Sequence, residues 1–284
     1  MRNNVLRTLI WDEQVSLTLA DTTETVRTAI EKHRLSQGSA IALGKTLSVM
    51  TFMSASLKSD QGEISLSVRS DGFGGGIGVS GNRALYLRGY VENTNLPLVD
   101  NVERLAYGQD GVLTIVRDDG YNRPFVGACA FPLTGGVDEA FEEYFDVSEQ
   151  LPTYIRTAVE FDKNGALAFA GVAVLQPLPF ADDETLKKAK ETSLSKLLEG
   201  VKERGIERTA KETFTCSESV WETRYAQYRC NCSKAYLKRV LVSLGEGQVR
   251  EIIQEEGALS VHCHYCNTDY SFTEQDADDL FQKE

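Results

Sequence analysis

Two close cysteine pairs, Cys230-Asn-Cys232 and Cys263-His-Tyr-Cys266, stand thirty residues apart near the end of this chain. A tight turn delivers two thiolates from each pair, and a small fold between the pairs brings them together. Tetrahedral zinc requires that arrangement. Zinc prefers soft sulfur, and four thiolates fill the coordination sphere without leaving a position for water, so such a site is non-hydrolytic. The alternative is four incidental thiols. Four of only six cysteines falling into two pairs argues against it. A purely structural zinc site is a further alternative that the spacing leaves open.

The first pair departs from the C-x-x-C of most structural ribbons. One spacer puts the Cys230 and Cys232 sulfurs close enough to oxidise together, in a loop that is tight and reducible. Bound zinc keeps sulfurs as thiolates, the form that peroxide or hypochlorite attacks. Oxidation removes the ligands. Metal binding in small domains supplies on the order of 10 kcal/mol of folding free energy, so its loss is expected to unfold the segment and make a switch. His262 and His264 bracket Cys263, but four thiolates already complete the site, so both read as neighbouring or exposed groups. Cys216 stands alone before the first pair. Cys129, in the apolar run Val126 to Phe131, reads as a core residue.

At 284 residues the chain has room for one large domain and a smaller one. A net charge of -12 and a pI of about 4.9 argue against nonspecific binding to nucleic acid or anionic membrane. No apolar stretch approaches a membrane span, and Met1 to Thr8 lacks the character of a signal peptide. A cytosolic location is therefore expected, where thiols stay reduced and disulfides are uncommon.

Along the chain, Asp21-Thr-Thr-Glu24 reads as a helix start running through Arg34, and a second helix is expected from about Ser39 to Leu57. Glu63 to Arg69 alternates strictly, as a half-buried strand does. Ala84 to Val91, Gly111 to Arg117, Tyr154 to Phe161 and Ala166 to Leu175 are further strand candidates. Val137 to Phe145 reads as a helix presenting Phe141, Tyr144 and Phe145. The expected fold class is α+β, with residues 1–178 as the large domain. Residues 179–215 turn charged and helix-favouring, with Leu186, Leu194, Leu197, Leu198 and Val201 as their apolar positions. So thin a stripe must lie on a neighbour, as a helical linker or as a terminal helix of the first domain. Residues 216–284 form the small cysteine-rich domain. Within it, Leu237, Leu241 and Leu244 mark one helix closed by Gly245, and Val249, Ile252 and Ile253 mark a second stopped at Gly257. Ala258 to Val261 then reads as a strand.

Other motifs carry less. Gly76-Ile-Gly-Val-Ser-Gly81 matches G-x-G-x-x-G, yet it leads into a strand-like segment, so a hairpin or sheet turn is expected rather than a dinucleotide loop. His33 has no evident serine or cysteine partner, and Ser148-Glu149-Gln150 reads as a helix-ending turn. No catalytic triad or paired-carboxylate signature emerges, and an enzyme is not expected.

With these residues in view, the chain resembles the redox-regulated 33 kDa heat-shock chaperone family. The resemblance lies in Cys230-Asn-Cys232, Cys263-His-Tyr-Cys266-Asn267 and Tyr270-Ser-Phe272. It extends through Leu57-Lys58, Ser70-Asp71-Gly72-Phe73-Gly74, Arg88-Gly89-Tyr90-Val91, Tyr144-Phe145 and Gln176-Pro-Leu-Pro179. It implies a substrate-binding α+β domain, a helical linker folded over it, and a C-terminal redox domain holding one zinc ion on Cys230, Cys232, Cys263 and Cys266. In the family the reduced, zinc-bound form is inactive. Oxidation joins neighbouring cysteines, here Cys230 with Cys232 and Cys263 with Cys266, and releases zinc. The protein then binds unfolding client proteins without ATP, often as a homodimer. Gly245-Glu-Gly-Gln-Val and the Phe180 after Pro179 depart from the family's pattern at the linker and interdomain region.

Two other functions stand beside this one. A thiol-disulfide oxidoreductase would place C-x-x-C on a helix N-terminus, whereas Cys263 follows a strand-like segment. A nucleic-acid-binding ribbon would need a basic groove, and residues 216–284 carry twelve acidic against seven basic side chains.

Overall fold

The computed structural model describes residues 4–131 and 136–281. Met1, Arg2 and Asn3, with which the expectation of no leader peptide begins, lie outside the described residues. The chain divides into two units, Met1–Arg229 and Cys230–Glu284.

The first unit opens with β1 (Val5–Ile10) and β2 (Val15–Asp21), an antiparallel hairpin with Val5 opposite Ala20. Trp11, Asp12 and Glu13 make its turn with positive φ of 51°, 54° and 62°. Neither strand is anticipated from the sequence. Next come α1 (Thr23–His33) and α2 (Gln37–Ala55), close to the expected bounds. Thr22 rather than Asp21 holds the N-cap position of α1, and the Asp21 carboxylate accepts from the Thr23 N–H at 3.0 Å. Ser36 caps α2, accepting from the Ser39 N–H at 3.3 Å.

The strands β3 (Glu63–Ser70), β4 (Ile77–Asn82), β5 (Tyr86–Val91), β6 (Gly111–Asp118) and β7 (Phe125–Ala130) follow, with α3 (Val102–Tyr107) before β6 and α4 (Val137–Val147) after β7. Then come β8 (Tyr154–Phe161), β9 (Leu167–Pro177), α5 (Asp183–Glu191), α6 (Leu194–Arg204), α7 (Ile206–Thr213), β10 (Cys216–Arg224) and β11 (Gln227–Tyr228). Among the described residues of this unit the strands form a five-stranded sheet, ordered β10-β1-β2-β9-β8, and a six-stranded sheet, ordered β11-β5-β4-β3-β6-β7.

Helix α2 packs against strands of both sheets and is buried on nearly every face. Its residues explain why a helix can sit there. Small side chains let the strands approach, and the Thr46, Ser48 and Thr51 hydroxyls donate to the carbonyls of Ala42, Gly44 and Leu47, so burial leaves those polar groups bonded. The glycine motif serves the same packing. It lies mostly within β4 rather than in a turn, and a Cβ on Gly81 would stand 2.1 Å from the Ser54 oxygen of α2. That is a close-approach glycine, not a phosphate cradle.

The outer face of the five-stranded sheet is covered by α6 and α7. Leu194, Leu197, Leu198, Val201, Ile206 and Ala210 share a cluster with Leu6, Ile10, Leu17, Leu19, Phe169 and Leu175 of the strands beneath. The thin stripe of residues 179–215 therefore has its neighbour. Covering six apolar side chains contributes on the order of 10 kcal/mol before the entropy of ordering the helices is set against it.

The division expected at residue 216 does not coincide with the units. β10 pairs antiparallel with β1, Val5 opposite Arg224 and Thr8 opposite Trp221, and β11 adds two parallel residues to β5. The charged sequence Glu218 to Arg224 hides this strand because an edge strand tolerates polar, outward-facing side chains.

The second unit holds α8 (Lys234–Leu244), α9 (Glu246–Glu256), β12 (Leu259–Cys263), β13 (Thr268–Phe272) and α10 (Glu274–Phe281). Strands β12 and β13 pair with Leu259 opposite Phe272 and Cys263 opposite Thr268. The expected helices end at Gly245 and Gly257, both with positive φ. Its buried core is Leu241, Val249, Ile253, Leu259, Phe272 and Ala277, while Leu244 stays outside it.

Candidate metal centre

The two cysteine pairs sit on different kinds of backbone. Cys230 and Cys232 lie in the extended segment before α8, and Ser233 caps that helix by accepting from the Tyr236 N–H at 3.0 Å. Cys263 ends β12, and the chain folds back at once. The N–H groups of Cys266 and Asn267 both donate to the Cys263 carbonyl, at 3.3 and 2.8 Å, and Asn267 takes a positive φ of 53°. This hairpin knuckle points both sulfurs of its pair the same way.

The fold brings the pairs together. The four sulfurs lie within 4.8 Å of one another, with Cys230 to Cys263 at 3.8 Å and Cys232 to Cys266 at 3.1 Å. Tetrahedral zinc with bonds of about 2.3 Å would set its sulfurs roughly 3.8 Å apart. The residues present fit a soft, four-coordinate cation, and four closely spaced cysteines of this kind can bind a metal ion.

Burial and proximity weigh against four separate thiolates here. Burial pushes the Cys266 thiol up to about 11 and raises Cys230 well above the ordinary thiol range. Burial also disfavours the Cys232 thiolate. Hydrogen bonds outweigh that effect, first from the Tyr270 hydroxyl at 3.2 Å and then from Cys266, and bring Cys232 down to about 7. Four thiolates cannot coexist this close without a cation between them.

Tyr270 and Thr268, whose hydroxyl lies 3.3 Å from the Cys266 sulfur, are the site residues that motif reading missed. Both belong to β13, and Tyr270, two residues past Thr268, shares its sheet face. That alternation was the available signal. His262 and His264 stay outside the four-sulfur group. The His262 ring Nδ1 lies 2.7 Å from an Asp269 carboxylate oxygen, and the two imidazoles stack edge to face at 5.1 Å. Cys216 belongs to β10 in the first unit.

The remaining candidates lie elsewhere in the first unit. Cys129 is only partly buried, a correction to its reading as a core residue. It sits on β7 beside an open cavity of about 500 Å³ that Arg117, Tyr144 and Glu149 also line, and burial pushes its thiol up. Ser148 closes α4 and Gln150 turns with a φ of 55°, as a helix-ending turn does. Between them, Glu149 pairs with Arg117 at 2.6 Å and bonds the Tyr144 hydroxyl. His33 finds a partner that its sequence neighbourhood hides, the Tyr228 hydroxyl at 3.0 Å.

Known proteins match this architecture along its length. The profile of the family described as Hsp33 protein matches residues 3–273. A "33 kDa chaperonin" of Bacillus cereus (strain G9842) is 31% identical over 292 residues, covering 99% of each chain. Another of Bacillus licheniformis is 32% identical over 289 residues, covering 97% of this chain and 98% of its own. The crystal structure of the 33 kDa chaperonin of Thermotoga maritima superposes with a TM-score of 0.83 at 26% identity, covering 99% of this chain and 98% of that one. These relatives are chaperones, not enzymes. Fold, cysteine cluster and relatives agree, and the chain belongs to the Hsp33 family of chaperones.

Proposed function

We propose that the chain is a redox-switched, ATP-independent holdase of the cytosol, inactive when reduced and loaded with one zinc ion on Cys230, Cys232, Cys263 and Cys266. The observation that carries this reading is the gathering of four thiols within 4.8 Å in a unit with a very small core. Zinc, when bound there, supplies positive charge that keeps all four sulfurs as thiolates. The Tyr270 hydroxyl beside Cys232 favours the thiolate of that sulfur. A peroxide oxidises one thiolate to a sulfenic acid and releases hydroxide. A neighbouring thiolate then displaces a second hydroxide and forms the disulfide. Repeated once, this joins Cys230 with Cys232 and Cys263 with Cys266, and no anionic sulfur is left to hold a metal.

Without its metal a unit this small lacks the buried surface to stay folded. The apolar face under α6 and α7 is the surface whose uncovering suits a binder of unfolded proteins. Functionally, residues 1–178 then act as the client-binding domain, 179–215 as the cover and 216–284 as the switch, a division by role that cuts across the compact units. No described helix is long and apolar enough to cross a membrane. The partners in this reading are unfolding proteins and a second copy of the oxidised chain, with no role for nucleic acid. Peroxide with mild heat is expected to release one zinc per chain and switch on suppression of client aggregation. Oxidised, zinc-free protein that lets a thermally unfolding client aggregate unchanged would overturn the reading.

A further inference from the structure

Strand β10 is the outermost strand of the five-stranded sheet, and it is weakly anchored there. None of its residues is buried. Its register against β1 breaks, because Thr8 faces Trp221 and Ile10 faces Cys216, so Ser217 to Val220 bulge out opposite the single residue Leu9. The Ser217 and Ser219 hydroxyls tie that bulge to the Glu13 carboxylate at 2.6 and 2.9 Å, both at the surface. Bulges and charged side chains are features that keep an edge from pairing with foreign strands. The strand beneath is the opposite. β1 reads Val-Leu-Arg-Thr-Leu-Ile, strongly β-forming, with Val5, Leu6 and Ile10 buried. A polar strap covers an edge well suited to adding strands.

The strap is tied to the helices that cover the sheet. Cys216 and Trp221 pack against the same cluster as α6 and α7. The Cys216 sulfur lies 3.7 Å from the Ala210 carbonyl, and the Lys211 ammonium stands 4.8 Å from the centre of the Trp221 ring. Glu222 lies opposite Arg7 on β1 and pairs with Arg83 at 3.3 Å and Arg224 at 3.5 Å. On the other side, only Arg229 separates β11 from Cys230. Loss of structure in α6 and α7 removes the packing of Cys216 and Trp221 and leaves β10 held by its ladder to β1, the surface ties to Glu13 and the Glu222 ion pairs.

We propose that β10 is an internal stand-in for the client: once the cysteine cluster opens, it leaves β1, and an extended apolar segment of an unfolding protein pairs with β1 instead. This rests on the holdase reading above and assigns the edge at which the client is held. The pairing of Val5–Thr8 with Trp221–Arg224 already demonstrates that this edge accepts an antiparallel strand. Main-chain hydrogen bonds supply affinity without demanding a sequence, which suits a partner that has none in common from one client to the next.

Hydrogen–deuterium exchange on the full chain tests this in three states: reduced with zinc, oxidised, and oxidised with reduced carboxymethylated α-lactalbumin as a permanently unfolded client. Residues 4–10 and 216–224 should both be protected in the first state, and both should exchange at least roughly ten-fold faster in the second. With the client bound, residues 4–10 should recover protection while 216–224 stay fast. The proposal is overturned if 216–224 remain protected after oxidation, or if 4–10 stay fast while α-lactalbumin co-elutes with the chaperone. Protection of 4–10 that appears without client and grows with chaperone concentration assigns the edge to a second copy, and also overturns it. If α-lactalbumin is not retained at all, the holdase reading itself fails. An independent variant is Glu222→Lys, which sets a fourth positive charge among Arg7, Arg83 and Arg224. In the reduced protein it should speed exchange of 216–224 roughly ten-fold with zinc content unchanged, and unchanged exchange would contradict the proposed weak anchoring.

Discussion

The two units of this molecule stay folded by different means. In the first, α2 lies between two sheets and anchors a cluster that runs from Val5 to Ala226, with a second cluster under α6 and α7. In the second, among the described residues, a cluster of six buried side chains serves three helices and a hairpin. A core of that size does little to offset the entropy of ordering the segment, and in the proposed reading a metal on the four cysteines supplies the difference. The lesson is one of placement: the cysteine cluster lies in the part of the molecule with the smaller core.

Breaking the metal set is the sharpest way to test that contrast. In the proposed reading Cys263→Ser removes one of four ligands and should abolish folding of Cys230–Glu284, since structural zinc contributes on the order of 10 kcal/mol in small domains. Exchange protection in α8 to α10 should vanish while that of α2 and β9 persists, and metal content should fall to near zero. A smaller effect belongs to the cover. Leu197→Ala should cost about 2–5 kcal/mol of packing under α6. The expected outcome is faster exchange in α6 and α7 and client binding in the reduced state, with zinc still bound.

Smaller again is the effect on the sulfur chemistry. Tyr270→Phe deletes the hydroxyl that favours the Cys232 thiolate, so in metal-free reduced protein the Cys232 titration should move up from about 7 by about one unit. Alkylation of Cys232 near neutral pH should then slow several-fold, because less of it is ionised. Least is expected of Lys234→Ala, which removes an exposed pairing with Asp276 at 2.8 Å and should change stability by no more than about 1 kcal/mol. A large loss there would mean that surface charge, rather than the cysteine cluster, holds the second unit together.

Much of this was legible in the chain. The cysteine spacing marked the four thiols that the fold gathers, and the alternation of Glu63 to Arg69 marked β3 and Val137 to Phe145 marked α4, because one-sided burial leaves a periodic trace. What escaped did so for physical reasons. The stripe of Leu194, Leu197, Leu198 and Val201 showed that the segment needed a neighbour, but not which strands would supply it, nor that Leu186 would stay outside that cluster while Ile206 and Ala210 join it. Strand β10 was hidden because none of its side chains is fully buried and only Cys216 and Trp221 reach the apolar cluster, too few to leave a pattern. The role of Gly81 depends on Ser54, a contact that no local window contains. The pairing of Tyr270 with Cys232 depends on the β12–β13 register. β2 is different, since Val15-Ser-Leu17-Thr-Leu19 alternates plainly and could have been read.

The central claim is that a bound metal holds the cysteine-rich unit folded and that oxidation lets it go. Zinc content and free thiols, counted before and after peroxide with far-UV dichroism followed alongside, test it most directly. The account predicts one zinc per reduced chain. It also predicts the loss of that zinc together with four thiols, and a fall in helical signal no larger than the linker and second unit can supply. Reduced protein prepared without chelator that carries no metal, or that loses four thiols with no change in dichroism, would contradict it.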